Sequence, residues 1–159
     1  LWTCFLCSMK FKPSPVMACS TPMAPTTANG TNAHRVKVLQ NGETLGWFVA
    51  RSRPMKGRKY FGDMRVGSLI DGMALPGAQT SVVWAARLFL EGRSSDIMVC
   101  NMQHQTWRTA LRAAGWLSGP SNFALAASKP LSQAVGAPYA DCIENAHFLR
   151  GDGEGPTHL

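Results

Sequence analysis

An Asn-Gly pair at positions 41–42, framed by two stretches of alternating polar and apolar residues, commits the chain to an antiparallel hairpin. Both residues tolerate positive φ, which is what a two-residue hairpin turn demands. Before the pair, Arg35-Val36-Lys37-Val38-Leu39 has the period of a half-buried strand. After it, Thr44 to Ala50 reads as the returning strand, with Trp47 and Val49 on one face. Pro54 to Lys59 reads as a basic loop. Tyr60 to Arg65 and Val66 to Ala74 read as two extended segments, the second apolar enough for a central strand.

Beyond the break at Leu75-Pro76-Gly77 the period changes. Ser81 to Leu90 spaces Val82, Val83, Ala86, Phe89 and Leu90 as a helix does, and Gly92 suits its end. Asp96 to Met102 predicts a short buried strand. Thr106 to Ala114 predicts a second helix, with Trp107, Ala110, Leu111 and Ala114 on one face and Arg108 and Arg112 on the other, stopped by Gly115. Asn122 to Ser128 reads as a strand, Pro130 to Val135 as a short helix and Ala146 to Arg150 as a last strand. No internal repeat is visible. A hairpin followed by strands alternating with helices of this length predicts an α/β (α+β) mixed sheet.

With 159 residues the chain is long enough to bury a core without a disulfide or metal staple. Apolar residues at 45% and charged residues at 16% exclude a generic disordered chain. No apolar stretch approaches the ~20 residues of a membrane span, so no membrane partner is expected. The five cysteines (Cys4, Cys7, Cys19, Cys100 and Cys142) are odd in number and irregular in spacing, unlike a secreted disulfide framework. Cys4-x-x-Cys7 has no second half, and no metal site is expected from it. Lys10, Lys12, Pro13, Pro15 and Pro22 break any signal-peptide core, which leaves a reducing cytoplasm as the default location. Four prolines among small polar residues between 13 and 33 make residues 1–33 an expected linker or poorly ordered segment, ahead of one domain over 34–159. Because the first residue is Leu1, the chain is expected to be a fragment or a processed product.

Met98-Val99-Cys100-Asn101, followed by a helix ending Ala110-Leu111-Arg112-Ala113-Ala114-Gly115-Trp116, is similar to a pattern in the GNAT acyl-CoA N-acyltransferases. Members of that family run from a hydrophobic strand through Asn into a helix ending Leu-x-x-x-Gly-Phe. The order of elements from about residue 34 to 150 resembles the C-terminal two-thirds of such a domain, truncated at its N-terminus. Arg150-Gly151-Asp152-Gly153-Glu154-Gly155-Pro156 looks like the ending of a subgroup, which implies a native C-terminus. The resemblance implies a GNAT-like fold, acetyl-CoA or another acyl-CoA as cofactor, and a small-molecule or protein amine as acceptor. It implies that the main chain of Met73 and Ala74 holds the pantetheine arm, that Gly77, Ala78 and Gln79 meet the pyrophosphate, and that Asn101 bonds the arm or the substrate. The departures are concrete. The loop from Ala74 to Ser81 lacks the family's basic residue and second glycine, Pro76 removes a donor, and Leu111 stands where many members have a tyrosine acid. Ser81 is an available helix cap.

Two residues are candidate acid–base groups. Asp71, near the end of an apolar strand, would accept an amine proton if burial raised its pKa; the plainer reading bonds it to a neighbouring backbone N–H. His104, just past the second strand, would be a base or a substrate contact; the plainer reading is an exposed helix-start residue. Residues 51–65 hold six cations against Asp63 alone, with Tyr60 and Phe61 among them. A solvated basic hairpin comes before a nucleic-acid site or a phosphate dock as the explanation. Trp47, Trp84, Trp107 and Trp116 are expected in the core or at an interface. The functional expectation is an acyl-CoA-dependent N-acyltransferase. The alternatives are a non-catalytic interaction module on the same fold or a basic nucleic-acid binder; the oligomeric state stays open.

Overall fold

The computed structural model describes residues 3–7, 17–20, 33–59, 62–120, 127–135 and 145–148. The fold is α+β. Seven strands, β1 (Thr3–Cys7), β2 (Met17–Ser20), β3 (Ala33–Gln40), β4 (Glu43–Arg58), β5 (Gly62–Ala74), β6 (Ile97–Cys100) and β7 (Leu117–Pro120), form one sheet in the order β2-β3-β4-β5-β6-β1-β7. Three helices accompany them: α1 (Gln79–Glu91), α2 (Gln105–Ala113) and α3 (Lys129–Val135). All neighbouring strands are antiparallel except β5 and β6, which α1 joins as a parallel crossover.

The hairpin forms as its sequence demands: Asn41 and Gly42 take φ of 52° and 86°, the two left-handed positions of a type I′ turn. The strands it joins are longer than their alternation suggests. β4 continues through Pro54 to Arg58, so the expected basic loop is strand, and β5 is a single strand instead of two. Pro54 is tolerated because β3 stops pairing at Ala33 opposite Arg51, and further along β4 has β5 as its neighbour on one side only. Asp63 Oδ1 accepts from the Gly57 N–H at 2.6 Å near the far end of this ribbon. The segment expected as a linker contributes two strands: β1 lies between β6 and β7, and β2 lies beside β3.

α1 and α2 share one face of the sheet. The core there is built from Val36, Val38, Phe48, Ala50, Leu69, Met98 and Cys100 on the strands. Val82, Val83, Ala86 and Leu90 of α1 and Trp107, Ala110 and Leu111 of α2 close over them. A smaller cluster of Met55, Val66 and Val99 lies apart from it on the opposite face. Arg87, only 1% exposed, ties the two helices together. Its Nε donates to Glu91 Oε1 at 2.8 Å, its Nη1 donates to the Ala114 carbonyl at 3.0 Å, and its guanidinium lies 5.0 Å from the centre of the Trp84 ring. A cation at the carbonyl end of α2 also complements the helix dipole.

Element ends differ from expectation in instructive ways. Gly92 does not supply a left-handed cap to α1; its φ is −61°, and the positive φ falls on Ser94 at 55°. Gly115 does supply one to α2, with φ 81°, and the Trp116 N–H then reaches back to the Leu111 carbonyl at 3.0 Å. Trp116 is buried, as expected, but Trp47 stands exposed on the sheet face away from α1 and α2. After α2 the chain forms β7 directly at Leu117. The strand expected over Asn122 to Ser128 falls mostly outside the described residues, and residues 127–128 are not strand. The short helix is present as α3. Residues 145–148 form a turn and not the start of a strand; Tyr60, Phe61, Cys142 and the acidic tail lie outside the described residues. No helix among the described residues is long and apolar enough to cross a membrane.

Candidate functional site

Among the described residues the one parallel pairing, β5 with β6, stops where β6 itself ends at Cys100. β5 and β6 pair from Val66 opposite Ile97 to Leu69 opposite Cys100 and no further, while β5 runs on for five residues to Ala74. Two local features set the course of β5 beyond the last residue of β6. Ile70 is the extra residue of a β-bulge, since Val49 pairs with Asp71 and Ala50 with Leu69; a bulge bends its strand and re-aims it. On the other side, Gly46 lets β4 approach closely: a Cβ there would overlap the Met73 carbonyl oxygen and lie 2.8 Å from the Ala74 Cα. The Leu75 N–H donates to the Leu45 carbonyl at 2.8 Å, which fixes the last residue of this run toward β4. Strand alternation then turns the main-chain groups of Gly72 and Ala74 to the opposite, unpaired edge.

One of those groups is already used. Asp71 Oδ1 accepts from the Gly72 N–H at 2.6 Å, so the half-buried carboxylate caps its own strand edge. This is the plainer of the two roles open to Asp71 from the sequence. On the helix-bearing side the opening beside this edge is floored by Met102 and Trp107, since a Cβ at Gly72 would lie 3.3 Å from Met102 Cε and 3.4 Å from Trp107 Cη2.

Above the opening, Leu75-Pro76-Gly77-Ala78 forms a tight turn closed by the Ala78 N–H on the Leu75 carbonyl at 2.9 Å. Proline second and a glycine at φ 83° third make it type II. The turn delivers the chain straight into α1. Its N-cap is Ala78, not the expected Ser81, and no side chain caps it; Ser81 is the third residue of the helix. The first N–H groups of α1 thus have no side-chain cap and follow the end of β5 by one turn, where the helix dipole favours an anion. A Cβ at Gly77 would meet nothing within 4 Å, so the turn is open to solvent on that side.

His104 ends the other lip. Its ring is the N-cap of α2: Nδ1 accepts from the Thr106 N–H at 3.2 Å and lies 2.8 Å from Thr106 Oγ1. A nitrogen that accepts from a backbone N–H is the unprotonated one, so the neutral ring carries its proton on Nε2. Its basic lone pair is spent on the helix, which argues against His104 as a proton acceptor in this arrangement. Asn101 follows the last paired residue of β6, and its Oδ1 is buried without a hydrogen-bond partner. A buried amide oxygen in that state costs free energy unless a donor reaches it.

The structure adds a residue the sequence reading passed over. His147 stands with its ring centre 6.3 Å from those of both His104 and Trp107, which brings a distant segment to the same lip. Nothing local marks it, because residues 146–150 read as an ordinary strand and only tertiary packing sets His147 beside α2. Asp71, Ala74, Gly77, Ala78, Gln79 and Asn101 therefore gather around the opening by chain continuity and by the β5–β6 pairing. Met73 departs from them: alternation turns its main-chain groups toward β4, as it does the Leu75 N–H, and its side chain is exposed beside Trp47 on the sheet face away from α1 and α2. Leu111 is fully buried in the core and has no access to the opening. Among the described residues no group of three or more His, Cys, Asp or Glu side chains is placed to hold a metal ion. Compared with protein-family models and with curated proteins, the chain matches none.

Proposed function

We propose that the chain binds an acyl-CoA in the opening between β5 and β6 and is an N-acyltransferase-like protein acting on an amine acceptor. The observation that carries the reading is the unpaired edge of β5 beyond Leu69, which runs directly into an uncapped helix N-terminus. An extended arm with amide groups fits such an edge by adding to it as a strand would, and the anionic end of the same ligand fits the dipole and free N–H groups of α1. The fit is incomplete in one respect. Residues 75–81 hold no cation and Pro76 has no N–H, so the phosphate contacts rest on backbone donors alone and predict weak binding.

In this reading the chain contributes mainly by positioning an amine against the thioester carbonyl. The C–N bond forms as the C–S bond breaks, the amine proton goes to a base, and the thiolate leaves with a proton. Asp71 holds one of its two oxygens, Oδ1, and His104 its Nδ1, in structural hydrogen bonds. His147 is the remaining imidazole at the lip. The same two bonds, with Leu111 in the core, favour the second reading, a non-catalytic module that keeps the ligand slot.

Calorimetry with acetyl-CoA tests the binding claim. Heat of binding in the millimolar range or tighter is expected, and Gly77→Asp, which sets a negative charge at the turn, is expected to weaken it at least tenfold. No heat at millimolar ligand removes the proposal. Binding with no release of thiol from acetyl-CoA across a panel of amines leaves the non-catalytic module.

A further inference from the structure

The sheet has a second face that the opening does not use. Along β4, alternation sends Trp47, Val49, Arg51, Arg53 and Met55 away from α1 and α2, and the antiparallel register sets neighbours beside them. Lys37, Trp47 and Met73 form one cross-strand row. Arg35, Val49 and Asp71 form the next, and Arg53 lies opposite Val66 further along. Trp47 is 37% exposed; Arg35 and Lys37 are exposed beside it on β3, and Arg53 is exposed six residues, about 20 Å, further along β4. Asp71, the carboxylate in these rows, is turned into its bond with the Gly72 N–H. One end of the face thus carries an open indole with cations beside it, while Met55 and Val66 near Arg53 are buried.

We propose that this face binds single-stranded nucleic acid, with Trp47 as a stacking platform for a base and Arg35, Lys37 and Arg53 as phosphate contacts. The combination selects the ligand. Flanking cations match a polyanion, but an acidic peptide needs only the charges and has no use for an exposed aromatic plane. A duplex keeps its bases stacked on one another, with none free to lie on Trp47. An unpaired base supplies both the flat partner and the adjoining phosphates. The inference stands apart from the acyl-CoA reading, since it uses another face and other side chains.

Fluorescence anisotropy of the full chain with labelled 15-nucleotide oligothymidylate and oligouridylate, at two salt concentrations, tests it. Binding that weakens with salt is expected. The Arg35→Gln/Lys37→Gln/Arg53→Gln variant should bind at least tenfold more weakly, and its log K against log salt slope should fall by about two, at about 0.7 for each phosphate no longer neutralised. Trp47→Ala should lose roughly tenfold while Trp47→Phe retains most of the affinity, because stacking survives in the phenyl ring. All of these positions are exposed, and unchanged circular dichroism identifies folded variants. Three results would overturn the proposal: no binding of either oligonucleotide at low salt, Trp47→Ala binding as tightly as the parent, or polyglutamate displacing the oligonucleotide at equal charge concentration. The second removes Trp47 as the platform, and the third assigns the face to acidic polypeptide.

Discussion

At the level of single residues, the chemistry-bearing side chains are mostly occupied with holding the backbone. Asp71 and His104 were visible in the sequence as titratable groups at strand ends, and both are where that reading put them. Their roles were not legible, because whether a carboxylate or an imidazole faces a substrate or its own main chain depends on one or two torsions. Gly72 and Thr106 supply backbone donors one and two residues away, and the side chains take up those bonds. His34 shows a titration that the fold does impose. Burial, and then the Arg93 cation nearby, hold its imidazole below the ordinary histidine pKa, while its ring meets Phe89 edge-on at 5.5 Å. The unfolded chain then binds a proton more readily than the folded one between the lowered value and about 6.5, so stability is present above that range and lost as pH falls through it. Urea unfolding between pH 5 and 7 should show stability rising with pH, and His34→Gln should flatten part of the rise. An unchanged slope in His34→Gln would assign the titration to other groups.

At the level of elements, periodicity located the hairpin and helices to within two residues but missed β1, β2 and β7 and divided β5 in two. An alternating pattern cannot say where a strand stops when polar residues remain compatible with an exposed ribbon, and so β4 outran its apolar residues through Pro54 to Arg58. Glycine as a stop signal was right once and wrong once. Gly115 has the left-handed backbone that closes α2, and its place against Arg87 Nη1 leaves 3.3 Å for an added Cβ. Gly92 has an ordinary helical φ of −61° and room for a methyl group, with the nearest atom 3.4 Å away. The two substitutions should therefore differ in sign. Gly92→Ala should raise stability by about 0.5–1 kcal/mol through lower backbone entropy in the unfolded chain. Gly115→Ala should lower it by roughly 1–2 kcal/mol from the left-handed strain alone. Chemical denaturation of both variants checks this, and equal effects would mean that α1 and α2 end alike.

At the level of the whole molecule, the class of fold was legible, since a hairpin and apolar strands separated by amphipathic helices leave few ways to bury a core. The seven-stranded order was not. β1 reaches its place between β6 and β7 from the far end of the chain, across a proline-rich stretch with no strand signal of its own. The course of β5 beyond the end of β6 was not legible. Its cause, a bulge at Ile70 with a close approach at Gly46, is a matter of strand register that composition and period do not encode. The resemblance to acyl-CoA N-acyltransferases rests on the same element order and remains the basis of a proposal. What it requires physically is that the free edge of β5 takes up a ligand. The most direct measurement is backbone amide NMR of the chain titrated with acetyl-CoA. Shifts confined to Gly72 through Ser81 and to Asn101 through His104 are predicted. Resonances that stay still at millimolar ligand, or that move only around Lys37 and Trp47 on the other face, would contradict it.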